Sequence, residues 1–153
     1  MNANSGNVDI ENLLFIMANL PDFLKTSVCR KKAKELMELT ESEKKDTIAR
    51  SLTSINLISQ DKLVELTKTW MKVISEVSPS ELTKLLHAYL SILEEVKLFD
   101  KLDGKLILEI FSSLEESERM NLLDCLKEAV FLNPKREEIL KKIPADLAKV
   151  IIS

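Results

Sequence analysis

The sequence predicts an all-α fold with no sheet, on three observations. Only 2 of the 153 residues are glycine and 4 are proline, too few for the tight turns of a hairpin-rich sheet. Apolar residues recur at helical spacing: Leu63, Leu66, Trp70, Val73, Ile74 and Val77 fall on one stripe. Segments that open like capped helices begin at Leu39, Val77 and Leu114, 38 and 37 residues apart. The expected architecture is a set of stacked antiparallel helical hairpins, forming a short superhelix or a compact helical bundle.

Residues 1–7 (MNANSGN) are small and polar and read as a disordered tail. A single helical domain then spans 8–153. Val8–Leu20 is apolar nearly all round, with Val8, Ile10, Leu13, Leu14, Phe15, Ile16, Met17 and Leu20. That exceeds one buried stripe, so this helix either tucks into a groove or meets another chain. Pro21 ends it. A second helix runs from Asp22 to about Glu38, with Phe23, Leu24, Val28, Ala33, Leu36 and Met37 as its expected inner face. The two make an N-terminal pair over 8–38.

Three hairpins follow, over 39–76, 77–113 and 114–153. Their openings are LTESEKKDTIARSLTSI, VSPSELTKLLHAYLSIL and LEESERMNLLDCLKEAV. The copies share Ser42/Ser80/Ser117, Glu43/Glu81/Glu118, Ile48/Leu86/Leu123 and Ile55/Leu93/Val130. Capping explains the shared start. Thr40 and Ser78 can accept from the amide three residues on, while Glu43 and Glu81 reach back. Pro79 stands at a first helical position, where its missing N–H costs nothing. The third copy has Glu115 for the hydroxyl, which keeps acidic charge at a helix start but loses the box. The second helices are Gln60–Glu76, with Ser59 as cap; Asp103–Leu114; and one opened by Asn133-Pro134 that carries Ile139, Leu140 and Ile143. Pro144 breaks the last of these before Leu147, Val150 and Ile151 make a final turn.

The runs LTESEKKDTI, VSPSELTKLL and LEESERMNLL resemble the L-S-x-E-E-x-x-x-L-L openings of two helical-repeat (armadillo-like) segments. One belongs to the bacterial flagellar motor-switch protein, the other to the N-terminal domain of MgtE-type magnesium transporters. The likeness covers 39–130. The chain carries neither the charged torque-generating helix of the first family nor a transmembrane part like the second's. The resemblance implies a superhelical, protein-binding role, and no functional residue carries over.

Composition narrows the function classes. There are 22 basic and 25 acidic residues, a net charge of −3, without the basic excess of a nucleic-acid binder. No window approaches the roughly 18 apolar residues of a membrane span. LLFIMANL (Leu13–Leu20) follows Asp9 and Glu11 rather than basic residues, so it reads as a helix of the mature protein, and the cytoplasm is the expected compartment. Cys29 and Cys125 fall on inner helix faces and read as reduced core thiols.

Chemistry finds little to work with. His87 is the one histidine, flanked by Leu86 and Ala88 in mid-helix, and no metal-ligand spacing surrounds it. FDKLDGK (Phe99–Lys105) fails as a calcium loop and reads as a turn, with Asp103 capping the next helix and Gly104 easing the backbone. There is no glycine-rich phosphate loop and no nucleophile elbow. The expectation is a non-enzyme with no cofactor and no metal. Lys25, Arg30, Lys31 and Lys34 form a basic strip on one helix, with no aromatic among them to stack a base. The function expected is a small adaptor or regulator that holds a partner protein in a hydrophobic groove or on a terminal helix. A self-associating structural protein or a small-ligand-binding helical domain is the alternative. Candidate partner-binding residues are Leu14, Phe15 and Met17 on the first helix, with Trp70 and Tyr89 as aromatic anchors that also fit the core.

Overall fold

The computed structural model describes residues 12–93, 95 and 98–153. The predicted tail at 1–7 and the start of the first helix at Val8 lie outside them. The fold is all-α, with no strand among the described residues. Helical residues 12–18 are α1. There follow α2 (Asp22–Met37), α3 (Glu41–Ser51), a 3-10 segment (Leu52–Leu57), α4 (Gln60–Ile74) and α5 (Pro79–Ser91). A one-turn helix, α6 (Leu98–Lys101), leads to α7 (Gly104–Ser112), α8 (Glu116–Phe131), α9 (Arg136–Lys142) and α10 (Ala145–Ile152). Among the described residues no helix is long and apolar enough to cross a membrane.

Two lines of contact organise these helices. In one, α3 packs on α5 and α5 on α8; in the other, α2 packs on α4, α4 on α7 and α7 on α10. The short α9 lies against α8 and α10. The main core runs from Met17 and Ala18 through Cys29, Ile48, Val73, Leu82 and Leu85 to Leu122 and Cys125. A second cluster gathers Leu90, Ala129, Val130, Ile139, Ile143 and Ile151, and Leu86 packs against both. The middle of α5 is the driest part: Leu82, Leu85 and Ala88 are each 0% exposed.

The three capped openings resolve differently. At α3 the box forms as expected: Glu43 N–H donates to Thr40 Oγ1 at 3.2 Å, and the Thr40 amide donates to Glu43 Oε1 at 2.9 Å. Those two bonds hold the Glu43 carboxyl below the usual carboxylate range. At α5 Pro79 takes the first position, but the Ser78 hydroxyl turns to Glu81 Oε1 at 3.3 Å instead of an amide. At α8 the box expected to be lost keeps its return arm, with the Glu115 amide donating to Glu118 Oε1 at 2.9 Å. Asp103 caps α7 as predicted, accepting from the Leu106 amide at 2.8 Å. Ser59 stands at the α4 cap position without a side-chain bond. Asn133 departs from prediction. Its Oδ1 accepts from Lys135 N–H at 2.8 Å, an Asx turn that delays α9 to Arg136.

Side chains from neighbouring helices satisfy helix ends that no local cap reaches. Lys101 of α6 donates to the carbonyls of Ile55, Asn56 and Ile58 at the end of the 3-10 segment. Its three ammonium protons meet carbonyls that carry the negative end of a helix dipole. Asn121 of α8 donates to Ser75 O at 2.7 Å, closing the end of α4. Arg119 reaches Ser112 O and Leu114 O at the end of α7.

Candidate functional site

The surface feature least explained by folding lies on either side of the α1–α2 joint. Pro21 there has an extended backbone (φ −57°, ψ 149°) and cannot donate the amide that would continue α1. Asn19 closes the first helix by donating to Phe15 O at 2.8 Å, and Lys62 of α4 donates to Asn19 Oδ1, tying the joint to the body of the protein. On this anchored corner Phe15 is 44% exposed, Ile16 52%, Phe23 76% and Leu24 40%. Single exposed apolar residues are ordinary; four large ones on either side of one joint are more than the core accounts for.

The candidate residues of the first helix divide. Phe15 is exposed. Leu14 is half-buried and packs on the core. Met17 is 2% exposed, which corrects its place among the partner-binding residues, because its side chain is spent on the core. The inner face of α2 also needs correction. Lys25, Cys29, Ala33 and Leu36 are buried, while Phe23 and Leu24 face outward. A helical wheel centred on Cys29 would have shown this, since at 100° per residue Phe23 falls roughly 120° away.

The basic strip is not one strip. Lys25 is 5% exposed, its stem in the interior and its ammonium 3.6 Å from the Asp22 carboxylate. Arg30 is bidentate with Glu76, at 3.1 and 3.2 Å, linking α2 to the end of α4. Lys31 and Lys34 stay exposed.

Trp70 and Tyr89 are brought together, but inward. Both are partly buried against the main core. Trp70 Nε1 is buried, and it approaches the Tyr89 hydroxyl without completing a hydrogen bond of standard geometry. Cys29 stands beside them. Burial pushes the Tyr89 hydroxyl up to about 12. Burial likewise pushes the Cys29 thiol from 9.0 up to about 11, against the opposing pull of the Lys25 charge. Such a thiol is a poor nucleophile at neutral pH. Both cysteines are buried and free.

This cluster gives the protein an alkaline limit. The unfolded thiol ionises near 9.0 and the folded one near 11, so between those values the folded state keeps a proton that the unfolded state has lost. Stability is full below pH 9 and falls as the pH rises toward 11, by on the order of 2 kcal/mol. Tyr89 extends the loss toward pH 12. Denaturant melts from pH 8 to 11 should show this decline, and Cys29→Ala should flatten its first part; an unchanged slope in that variant would assign the loss elsewhere.

Compared with known proteins, the chain matches no family model, no curated protein and no solved structure at a significant level.

Proposed function

We propose that this chain is a non-catalytic helical-repeat adaptor, which binds a partner protein through the apolar surface beside the α1–α2 joint. The observation that carries the proposal is the exposure of Phe15, Ile16, Phe23 and Leu24 on a corner anchored by Asn19 and Lys62. The two lines of packing, α3–α5–α8 and α2–α4–α7–α10, support reading the hairpins as stacked repeats. The resemblance of the three openings to armadillo-like segments implies the same kind of role. In a stack of repeats the terminal unit ordinarily turns a polar face outward; here it turns aromatic rings outward. Trp70 and Tyr89 hold the core in this reading, and Phe15 and Phe23 take over as aromatic anchors. A cytoplasmic location goes with the two reduced, buried thiols.

The test is capture from the protein's own cells with the tagged full chain, comparing wild type with Phe15→Ser/Phe23→Ser. A near-stoichiometric partner on the wild type should be lost on the variant, while circular dichroism and melting temperature stay those of the wild type. A partner retained undiminished by the variant, or no stoichiometric partner at all, overturns the adaptor reading.

A further inference from the structure

The outer faces of two helices carry opposite charge around similar apolar residues. On α2, the face turned away from Cys29, Ala33 and Leu36 presents Phe23, Leu24, Lys31 and Lys34, all exposed. This helix holds five cations against two carboxylates. On α8, Leu122, Cys125 and Ala129 turn inward, and Cys125 Sγ lies 3.5 Å from Pro79 O of α5. The opposite stripe, at spacings of 4, 4 and 3, is Met120, Asp124, Glu128 and Phe131, with Leu132 just beyond. All five are exposed, Met120 at 57% and Leu132 at 71%. This helix holds four carboxylates against two cations. Among the described residues Lys31, Lys34, Asp124 and Glu128 have no ion-pair partner within the chain.

We infer that the partner of the α2 side of this surface is a second copy of the chain, docked through the outer face of its α8. The inference rests on the adaptor reading above and names an occupant for the surface described there. With the two helices antiparallel, Phe23 and Leu24 of one copy cover Phe131 and Leu132 of the next, while Lys31 and Lys34, further along α2, meet Glu128 and Asp124. Apolar burial supplies the affinity, and the charges set the register and reject the like-faced pairing. The contact joins unlike faces, so a dimer keeps one free face of each kind, and assembly runs past the dimer unless the rotation closes a ring.

Sedimentation velocity on the full chain tests this, over a range of protein concentrations and at low and high salt. The wild type should gain mass with concentration and lose it with salt. Lys31→Glu/Lys34→Glu and Asp124→Lys/Glu128→Lys should each weaken association about tenfold or more. Mixed one to one, the two variants should associate again and run past the heterodimer, because both α2–α8 contacts between unlike variants pair opposite charges and only the self-contacts repel. The chain carrying all four substitutions should associate again. All four positions are exposed, and unchanged circular dichroism confirms that each variant folds. A wild type that stays monomeric at every concentration overturns the inference, as do charge variants that associate like the wild type or a mixture that does not associate. Loss of a partner by Phe15→Ser/Phe23→Ser in cell capture, with a monomeric wild type, would sink the second copy and leave the adaptor reading standing.

Discussion

Leu85→Ala is expected to remove about 2–5 kcal/mol of unfolding free energy. Leu85 is 0% exposed, on the helix that packs against both α3 and α8. Truncation there removes three heavy atoms from water-free contact and leaves a cavity that two neighbouring helices must share. They can collapse into it little, because Leu82 and Ala88 on the same helix are also 0% exposed and hold the helix in place. Chemical denaturation followed by circular dichroism measures the effect. Lys84→Ala, one residue earlier on the exposed face, should change stability by no more than about 0.5 kcal/mol. A loss under about 1 kcal/mol for Leu85→Ala would mean that α5 is not the packed centre described above.

Gly104→Ala is expected to cost about 2–3 kcal/mol, the upper part of the range for an overpacked site. The sign is the informative part, since alanine in a helix is ordinarily better than glycine by up to about 1 kcal/mol. Gly104 has no positive φ, so it does not serve to ease a turn, contrary to the expectation from its place in FDKLDGK. It makes room. A Cβ at that position would lie 2.7 Å from Pro144 Cβ, where α10 begins against α7. The neighbour is part of a rigid ring and cannot swing aside. In a Pro144→Gly background the same substitution should cost clearly less, and the double-mutant cycle reads the difference. A Gly104→Ala protein as stable as the wild type would show that α7 and α10 approach less closely.

The helix boundaries were legible where a continuous apolar stripe defined them. The stripe from Leu63 to Ile74 places α4 within two residues, and Thr40 and Asp103 announce their helices because a side-chain oxygen at a cap has one geometry to satisfy. The rotation of α2 was not legible from hydrophobicity. Its apolar residues are few, and counting Phe23 and Leu24 inward gave a plausible stripe. The structure buries the stem of Lys25 instead, an outcome that residue type hides because a long charged side chain can cover apolar surface with its methylenes. The candidate site was half legible for the same reason. The excess of apolar residues on the first helix is divided in the structure, with Phe15 and Ile16 exposed and Met17 buried. The excess cannot say which of those residues faces out, so Met17 was misplaced and Phe23 was assigned inward. Asn133 shows a third limit: its side chain serves a turn as well as a cap, and Asn-Pro permits either.

The side-chain bonds that cross between distant helices share one scale. Arg30 to Glu76, Asn19 to Lys62, Lys101 to Ile55 and Asn121 to Ser75 join residues 43 to 46 positions apart. Each therefore ties a segment to the next neighbour along the chain, and none of these four runs from one terminus to the other. Opening at one terminus breaks the ties of that neighbourhood and leaves the remoter ones intact. The molecule is thereby disposed to fray in steps, with α5 as the last element to exchange its amides with solvent. Ordering of its chain ends by a bound partner would be felt locally, and would reach the far side only through the successive helix contacts of the two packing lines.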